Sequence, residues 1–213
     1  MSRLYAILLF LSGCSPAMAG ELDELHATVK ITVTWQDVRT KHVGSGIVVQ
    51  STDKRALIAT CSHLFPPTGG AKTEVESEGR NDKATMVARL DKDYDLAVIA
   101  IEGDTGLCPV IVSDEIPEPP APVFYTGGEM GAPATRQQSQ VVDWDASHRV
   151  VAISSIVQSG QSGGGLFNAK GELVGICSGY SPFPDRRRAQ RSLFGSSRKL
   201  KVMLEGISKQ EEQ

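Results

Sequence analysis

The chain reads as an all-β protein of the sandwich or barrel class, built in two halves, and three observations point there. Short apolar runs recur along it, at Gly46 to Gln50, Ala56 to Thr60, Ala84 to Leu90, Leu96 to Ile101, Val123 to Thr126, Arg149 to Ile153 and Leu173 to Ser178. Clusters of Gly, Asp, Lys or Pro separate them, and no long helical periodicity intervenes until near the end, which is the pattern of many short strands. Glycine is also abundant, 21 of 213 residues, while aromatics make up only 6%. That composition favours turn-rich β-structure.

The first stretch stands apart from the fold. Arg3 precedes the apolar run Leu4-Tyr5-Ala6-Ile7-Leu8-Leu9-Phe10-Leu11, and small residues ending in Ala17-Met18-Ala19 follow before Gly20. So short a run cannot cross a bilayer as a helix, which takes roughly 20 residues. A positive start, a short apolar core and an A-x-A end describe a secretory signal peptide over residues 1–19. The string Leu11-Ser12-Gly13-Cys14 equally fits the lipobox of bacterial lipoproteins, in which Cys14 becomes a lipidated first residue attached to a membrane. Both cuts predict export, to the periplasm, the cell envelope or the medium.

The clearest strand comes next. In Val29-Lys30-Ile31-Thr32-Val33-Thr34-Trp35 the residues Val29, Ile31, Val33 and Trp35 share one face, and polar residues take the other. Further on, Pro117, Pro119, Pro120 and Pro122 interrupt the strand pattern. Proline cannot donate to a central ladder, so residues 106–122 are expected to connect a first barrel, 20–105, to a second, 123–181. Past residue 181, Ser196 offers a cap and Leu200, Met203, Leu204 and Ile207 an apolar stripe, predicting a short helix within a tail spanning 182–213.

Charge sharpens the division. The whole chain carries 22 Lys+Arg against 25 Asp+Glu, but residues 20–184 hold 13 basic and 21 acidic groups, and 185–213 hold 8 and 4. An acidic body is a poor match for nucleic acid, whose binders present basic folds. The basic run Arg186-Arg187-Arg188, with Arg191, Arg198, Lys199 and Lys201, reads as a solvated loop and helix face, an accessory to the body.

The sharpest chemical signal is Gly160-Gln161-Ser162-Gly163-Gly164-Gly165. A serine attacks only when a neighbouring base takes its proton, and the oxyanion it creates needs N–H groups aimed at it. Flanking glycines let the backbone turn tightly and leave such groups unobstructed. Gly160 and Ser162 are the candidate donors. The string also fits the G-x-S-x-G elbow of α/β-hydrolases, whose histidine follows the serine, yet His26, His42, His63 and His148 all precede Ser162. An order of acid, histidine, serine through Asp53 would call for helices that the pattern lacks. The order histidine, aspartate, serine remains. His63 closes one apolar strand, Ala56 to His63, and Asp95 opens another, Asp95 to Ile101, so rigid β-structure can hold both at strand ends. Asp91 and Asp93 are rival acids, but they sit on a charged turn and read as solvated.

With these pieces in view, the chain resembles the trypsin-like serine proteases, and among them the compact HtrA-type bacterial enzymes. The resemblance rests on Gly44-Ser45-Gly46-Ile47-Val48-Val49, Ala59-Thr60-Cys61-Ser62-His63, Asp95-Leu96-Ala97-Val98-Ile99, Gly160-Gln161-Ser162-Gly163-Gly164 and Gly171-Glu172-Leu173-Val174-Gly175-Ile176, in that order. It implies a chymotrypsin-type double barrel, two six-stranded antiparallel β-barrels with a short C-terminal helix, and a site in the cleft between them. His63 would be the general base, Asp95 the group that orients it, and Ser162 the nucleophile of an endopeptidase that forms an acyl-enzyme. Gly160 and Ser162 would form the oxyanion hole. Ile153 to Gln158, with Ile156, would wall the specificity pocket, and Ser178-Gly179-Tyr180 would pair with substrate backbone. Substrates would be proteins or peptides, with no metal and no organic cofactor. No acid falls at the pocket positions, so a small or medium apolar residue before the cut is expected.

The match departs from the family at Ser62, where alanine is usual, at Gln161, where Asp or Asn is common, and at Gly165, often proline. The 51 residues after Ser162 are too few for the PDZ domain that HtrA proteins usually append. A rival reading keeps the fold without the reaction, as a catalytically silent module that binds peptides or protein partners. Of the cysteines, Cys61 and Cys177 flank the expected active-site strands and are read as free buried thiols rather than a bridge. Cys61 with His63 makes half of a metal site, and further ligands at metal-like spacing are missing. His26, His42 and His148 are read as surface or structural.

Overall fold

The structure, a computed structural model, describes residues 21–36, 40–67, 70–91, 94–144, 150–181 and 191–211. The leader with Cys14, as well as Asp93, His148 and Arg186 to Arg188, lies outside the described residues. After a short helix α1, Glu21–His26, come the strands β1 Thr28–Trp35, β2 Thr40–Ser51, β3 Arg55–Thr60, β4 Ala71–Ser77, β5 Arg80–Leu90 and β6 Leu96–Glu102. A second set follows: β7 Pro122–Gly127, β8 Thr135–Trp144, β9 Val150–Ile153, β10 Gly165–Phe167, β11 Leu173–Ser181 and β12 Arg191–Ser196, then helix α2, Ser197–Glu211.

Each set closes on itself as an antiparallel barrel of six strands. The first runs β1-β2-β3-β6-β5-β4, and the second, traced from β7, runs β7-β8-β9-β12-β11-β10. Both wind identically, although no repeat is visible in the residues. The predicted all-β double barrel with a C-terminal helix is therefore what the chain forms.

Side-chain alternation explains where the apolar residues go. In β1, Val29, Ile31 and Val33 are buried inside the first barrel, with Ile58, Val75, Ile99 and Ile101. Residues of the other parity on β3 and β6, Leu57, Ala59, Leu96 and Val98, leave that interior and meet Phe167, Leu173 and Ile176 of the second barrel. Because β3 and β6 bury both faces, they read as unbroken apolar runs. Val123, Tyr125, Val151, Ile153, Val174 and Phe194 fill the second barrel.

The tail expectation is corrected here. Strand β12 lies beyond residue 181, yet it sits between β11 and β9 and completes the second barrel. Helix α2 is also structural, since its Leu200, Met203 and Ile207 are buried in the seam between barrels. Ser196 does cap it, with Oγ accepting from the Arg198 amide at 3.3 Å. No helix among the described residues is long and apolar enough to cross a membrane.

Candidate active site

Strand pairing brings His63 and Asp95 together. β3 and β6 are antiparallel neighbours with Thr60 opposite Ala97, so the end of one strand and the start of the other share a barrel edge. His63 sits in the 3-10 turn Ser62–Leu64 just past β3. Asp95 precedes β6 in a left-handed conformation, φ +48°, a strained setting that Asp tolerates better than most residues.

Four donors surround the Asp95 carboxylate. Oδ1 accepts from Ser62 Oγ at 2.9 Å and from the His63 amide at 2.9 Å. Oδ2 accepts from His63 Nδ1 at 2.7 Å and from Ser178 Oγ at 2.5 Å. Burial pushes this carboxyl up, but the hydrogen bonds from His63 and Ser178 outweigh it and hold the group below its ordinary value. An ionised Asp95 accepts only, so Nδ1 carries the proton and Nε2 presents a lone pair. The rival Asp91 is exposed and bonded to Arg89 Nε at 2.6 Å, which holds its carboxyl low.

Ser162 comes from the loop between β9 and β10, in the other barrel. Its carbonyl accepts from the Ser45 amide at 2.8 Å. A Cβ on Gly44 would fall 2.6 Å from Leu64 Cδ1 and 2.8 Å from the Ser162 carbonyl, so the serine loop lies against the residue after His63. Ser162 Oγ itself has no hydrogen bond among the described residues, and the nearest partner of His63 Nε2 is Cys61 Sγ at 3.7 Å.

Around the serine three amides are engaged. Gln161 N–H donates to Gln158, Gly163 N–H to Cys177 and Gly164 N–H to Gln161, at 3.1, 2.8 and 3.0 Å. The amides of Gly160 and Ser162 are left without an acceptor among the described residues. Gly160 has φ +96°, and a Cβ there would lie 2.5 Å from the Met130 nitrogen, so glycine is required. Gln161 is buried, and its Oε1 accepts from the Gln158 amide at 2.7 Å, bracing the loop from within.

Other residues singled out in the sequence take clear places. Ile156 is exposed. Gly179 lies at a bulge with φ +124°, facing open space. Ser178, expected to face substrate backbone, turns its hydroxyl to Asp95. That role, and the matching one of Ser62, escaped the sequence; Ser62 follows β3 and Ser178 lies within β11, and only the fold brings both hydroxyls to Asp95. Cys61 and Cys177 are free and buried. Burial, then the nearby Asp95, raises the Cys61 thiol well above its ordinary value, and burial pushes Cys177 up to about 12. Ligand atoms of Cys61, His63 and Asp95 lie within 4.8 Å of one another, the one grouping among the described residues with metal-like spacing. Its carboxylate oxygens and Nδ1 are already engaged in hydrogen bonds. His42 stacks on Trp35 with ring centroids 4.3 Å apart, while His26 is exposed.

The model of the trypsin-like peptidase domain matches residues 44–176, a span that runs from Gly44 on β2 through the serine loop to β11. The chain belongs to the trypsin-like peptidase domain family. No curated protein sequence matches it significantly. Among solved structures, this trypsin-like domain is similar to a serine endoprotease from Yersinia pestis, at 21% identity and TM-score 0.70, over 87% of this chain and 64% of that one. It is similar too to the Rv3671c protease of M. tuberculosis in its active form, at 20% identity and TM-score 0.72, over 87% and 82%. The inactive form of that protease matches at 19% identity and TM-score 0.67, over 87% and 91%. At such identities these likenesses speak for the fold. The trypsin-like domain spans under two thirds of the Yersinia chain.

Proposed function

We propose that this protein is an exported serine endopeptidase in which Ser162, His63 and Asp95 form the catalytic triad. One observation carries the reading: His63 is held by Nδ1 on Asp95 at 2.7 Å, beside a serine loop whose unengaged amides are those of Gly160 and Ser162. In the first step Ser162 Oγ attacks the peptide carbonyl carbon while its proton passes to His63 Nε2. Asp95 keeps the imidazole in the tautomer that can accept this proton and stabilises the imidazolium that forms. The negative oxygen settles against the Gly160 and Ser162 amides. The C–N bond then breaks as His63 returns its proton to the leaving amine, and water repeats the sequence on the ester. The Ser162–His63 hydrogen bond is the contact that substrate would close, as happens in many apo sites. Export is inferred from the leader over residues 1–19, and proteins or peptides outside the cytoplasm are the substrates. The test is labelling by a fluorophosphonate probe, with Ser162→Ala alongside. Labelling that depends on Ser162 is expected; its absence would sink the endopeptidase reading in favour of a binding module.

A further inference from the structure

Ser45, on β2 of the first barrel, is only 1% exposed and spends every polar group it has on the opposite side of the cleft or next to it. Its amide donates to the Ser162 carbonyl at 2.8 Å. Its hydroxyl donates to the Gly160 carbonyl at 3.0 Å and accepts from the Gly128 amide at 3.0 Å. Its own carbonyl is fixed by Thr60 Oγ1 at 2.8 Å, from the neighbouring strand β3. One residue of the first barrel thus holds the carbonyls of both residues whose amides are unengaged in the second.

We infer that Ser45 is a positioning residue of the oxyanion hole, fixing through its hydroxyl and its backbone the peptide groups that follow the Gly160 and Ser162 amides and so setting the aim of those amides. The inference rests on the endopeptidase reading above. Its physical basis is the freedom of Gly160. With φ at +96° and no side chain, this residue can swing between several backbone states, so the peptide groups on both sides of it need external holds, and the one that carries its amide is held by the Met130 amide, which donates to the Ser159 carbonyl at 2.8 Å. The Ser45 hydroxyl supplies the hold on the other side by fixing the Gly160 carbonyl, which sets ψ of Gly160 and with it the path of the chain into Ser162, and Gly128 orients the hydroxyl in turn. Removing the hydroxyl leaves a buried carbonyl and a buried amide without partners, and each such group favours rearrangement of the loop. The loop that moves is the one carrying the oxyanion donors. A further consequence is that the hole keeps its shape only while the two barrels stay seated on each other.

The test compares Ser45→Ala and Ser45→Cys with the parent, using a peptide substrate, a substrate-like peptide that is not cleaved, and a peptide aldehyde whose hemiacetal oxygen occupies the hole. Complete loss of one oxyanion donor costs about 10²–10³ in rate, and misaiming should cost less. For Ser45→Ala, kcat is expected to fall by about 10- to 100-fold with KM changed less than about threefold, the mark of an interaction made in the transition state. Aldehyde affinity should fall by a similar factor, while binding of the uncleaved peptide stays unchanged. Ser45→Cys, with its weaker donor, should lie between alanine and the parent. If Ser45→Ala does not fold, Ser45→Cys decides. A folded variant with kcat and aldehyde affinity within about twofold of the parent overturns the inference, as does a loss confined to KM. A parent that neither labels nor cleaves points instead to failure of the endopeptidase reading.

Discussion

Ser178 donates its hydroxyl to Oδ2 of Asp95 across 2.5 Å, a bond from β11 of the second barrel to the edge of the first. The proposed acid is therefore held from both sides of the cleft, by Ser62 and His63 of its own barrel and by Ser178 of the other.

The first prediction follows from this hold and concerns pH. The Asp95 carboxyl lies below its ordinary value despite its burial, because His63 and Ser178 bond to it. A carboxyl lowered in the folded state stabilises the protein above its unfolded value of about 3.9 and loses that contribution as pH falls through the folded one. Urea unfolding of the parent and Asp95→Asn should therefore show a gap that is wide near pH 6 and shrinks below about pH 4. A gap that stays constant down to about pH 3 would contradict the assignment.

The second prediction concerns Gly160. A methyl group there would fall 2.5 Å from the Met130 nitrogen and 2.6 Å from the Gly128 carbonyl oxygen. Gly160→Ala should lower kcat/KM by about 10²–10³ through displacement of one oxyanion donor, with circular dichroism close to that of the parent. A variant that is folded and fully active would remove Gly160 from the hole.

A third prediction uses the buried thiols. With Cys177 pushed up to about 12 and Cys61 well above its ordinary value, neither supplies thiolate near neutral pH. Cys108, only half-buried, should be alkylated first by iodoacetamide near pH 8. Mass spectrometry should find Cys61 and Cys177 modified only after denaturant is added. Rapid alkylation of either in the folded protein would count against their burial.

The fourth prediction tests the seam. Leu200 is fully buried among residues of both barrels, so Leu200→Ala should cost about 2–5 kcal/mol in chemical unfolding. Val202, 57% exposed on the same helix, provides the control, and Val202→Ala should change stability by under about 0.5 kcal/mol. Equal effects at the two positions would mean that α2 does not pack as described.

The fifth concerns specificity. Ile156 is exposed where the resemblance puts a pocket wall, and cleavage after small or medium apolar residues is expected. A peptide-library profile dominated by basic or acidic residues before the cut would reject this.

What the sequence disclosed follows from where burial is strongest. β3 and β6 bury both faces, so their apolar runs are continuous, and each leads directly to His63 or Asp95. The strands that escaped notice give weaker signals. β4 is Ala-Lys-Thr-Glu-Val-Glu-Ser, with Val75 its one strongly apolar residue, and β8 is mostly polar until Val141. β10 has three residues, too few for any period. β12 was hidden by the arginine-rich run before it, and its place in the barrel comes from pairing with β9 and β11. At the site, residue order and the placement of Asp95 at a strand start pointed to His63, Asp95 and Ser162, the triad proposed above. The contacts of Ser62 and Ser178 with Asp95 come from tertiary pairing and that of Gln161 from a local bond to the Gln158 amide, and nothing in their local sequence marks these residues out.

The position of β12 and α2 also sets an order of events during synthesis. A growing chain that has reached Ser181 already contains His63, Asp95 and Ser162, but the strand between β9 and β11 and the helix that seals the seam have not yet emerged. On the endopeptidase reading proposed above, activity therefore waits for residues 191–207, because until they arrive the barrel that carries Ser162 stays open.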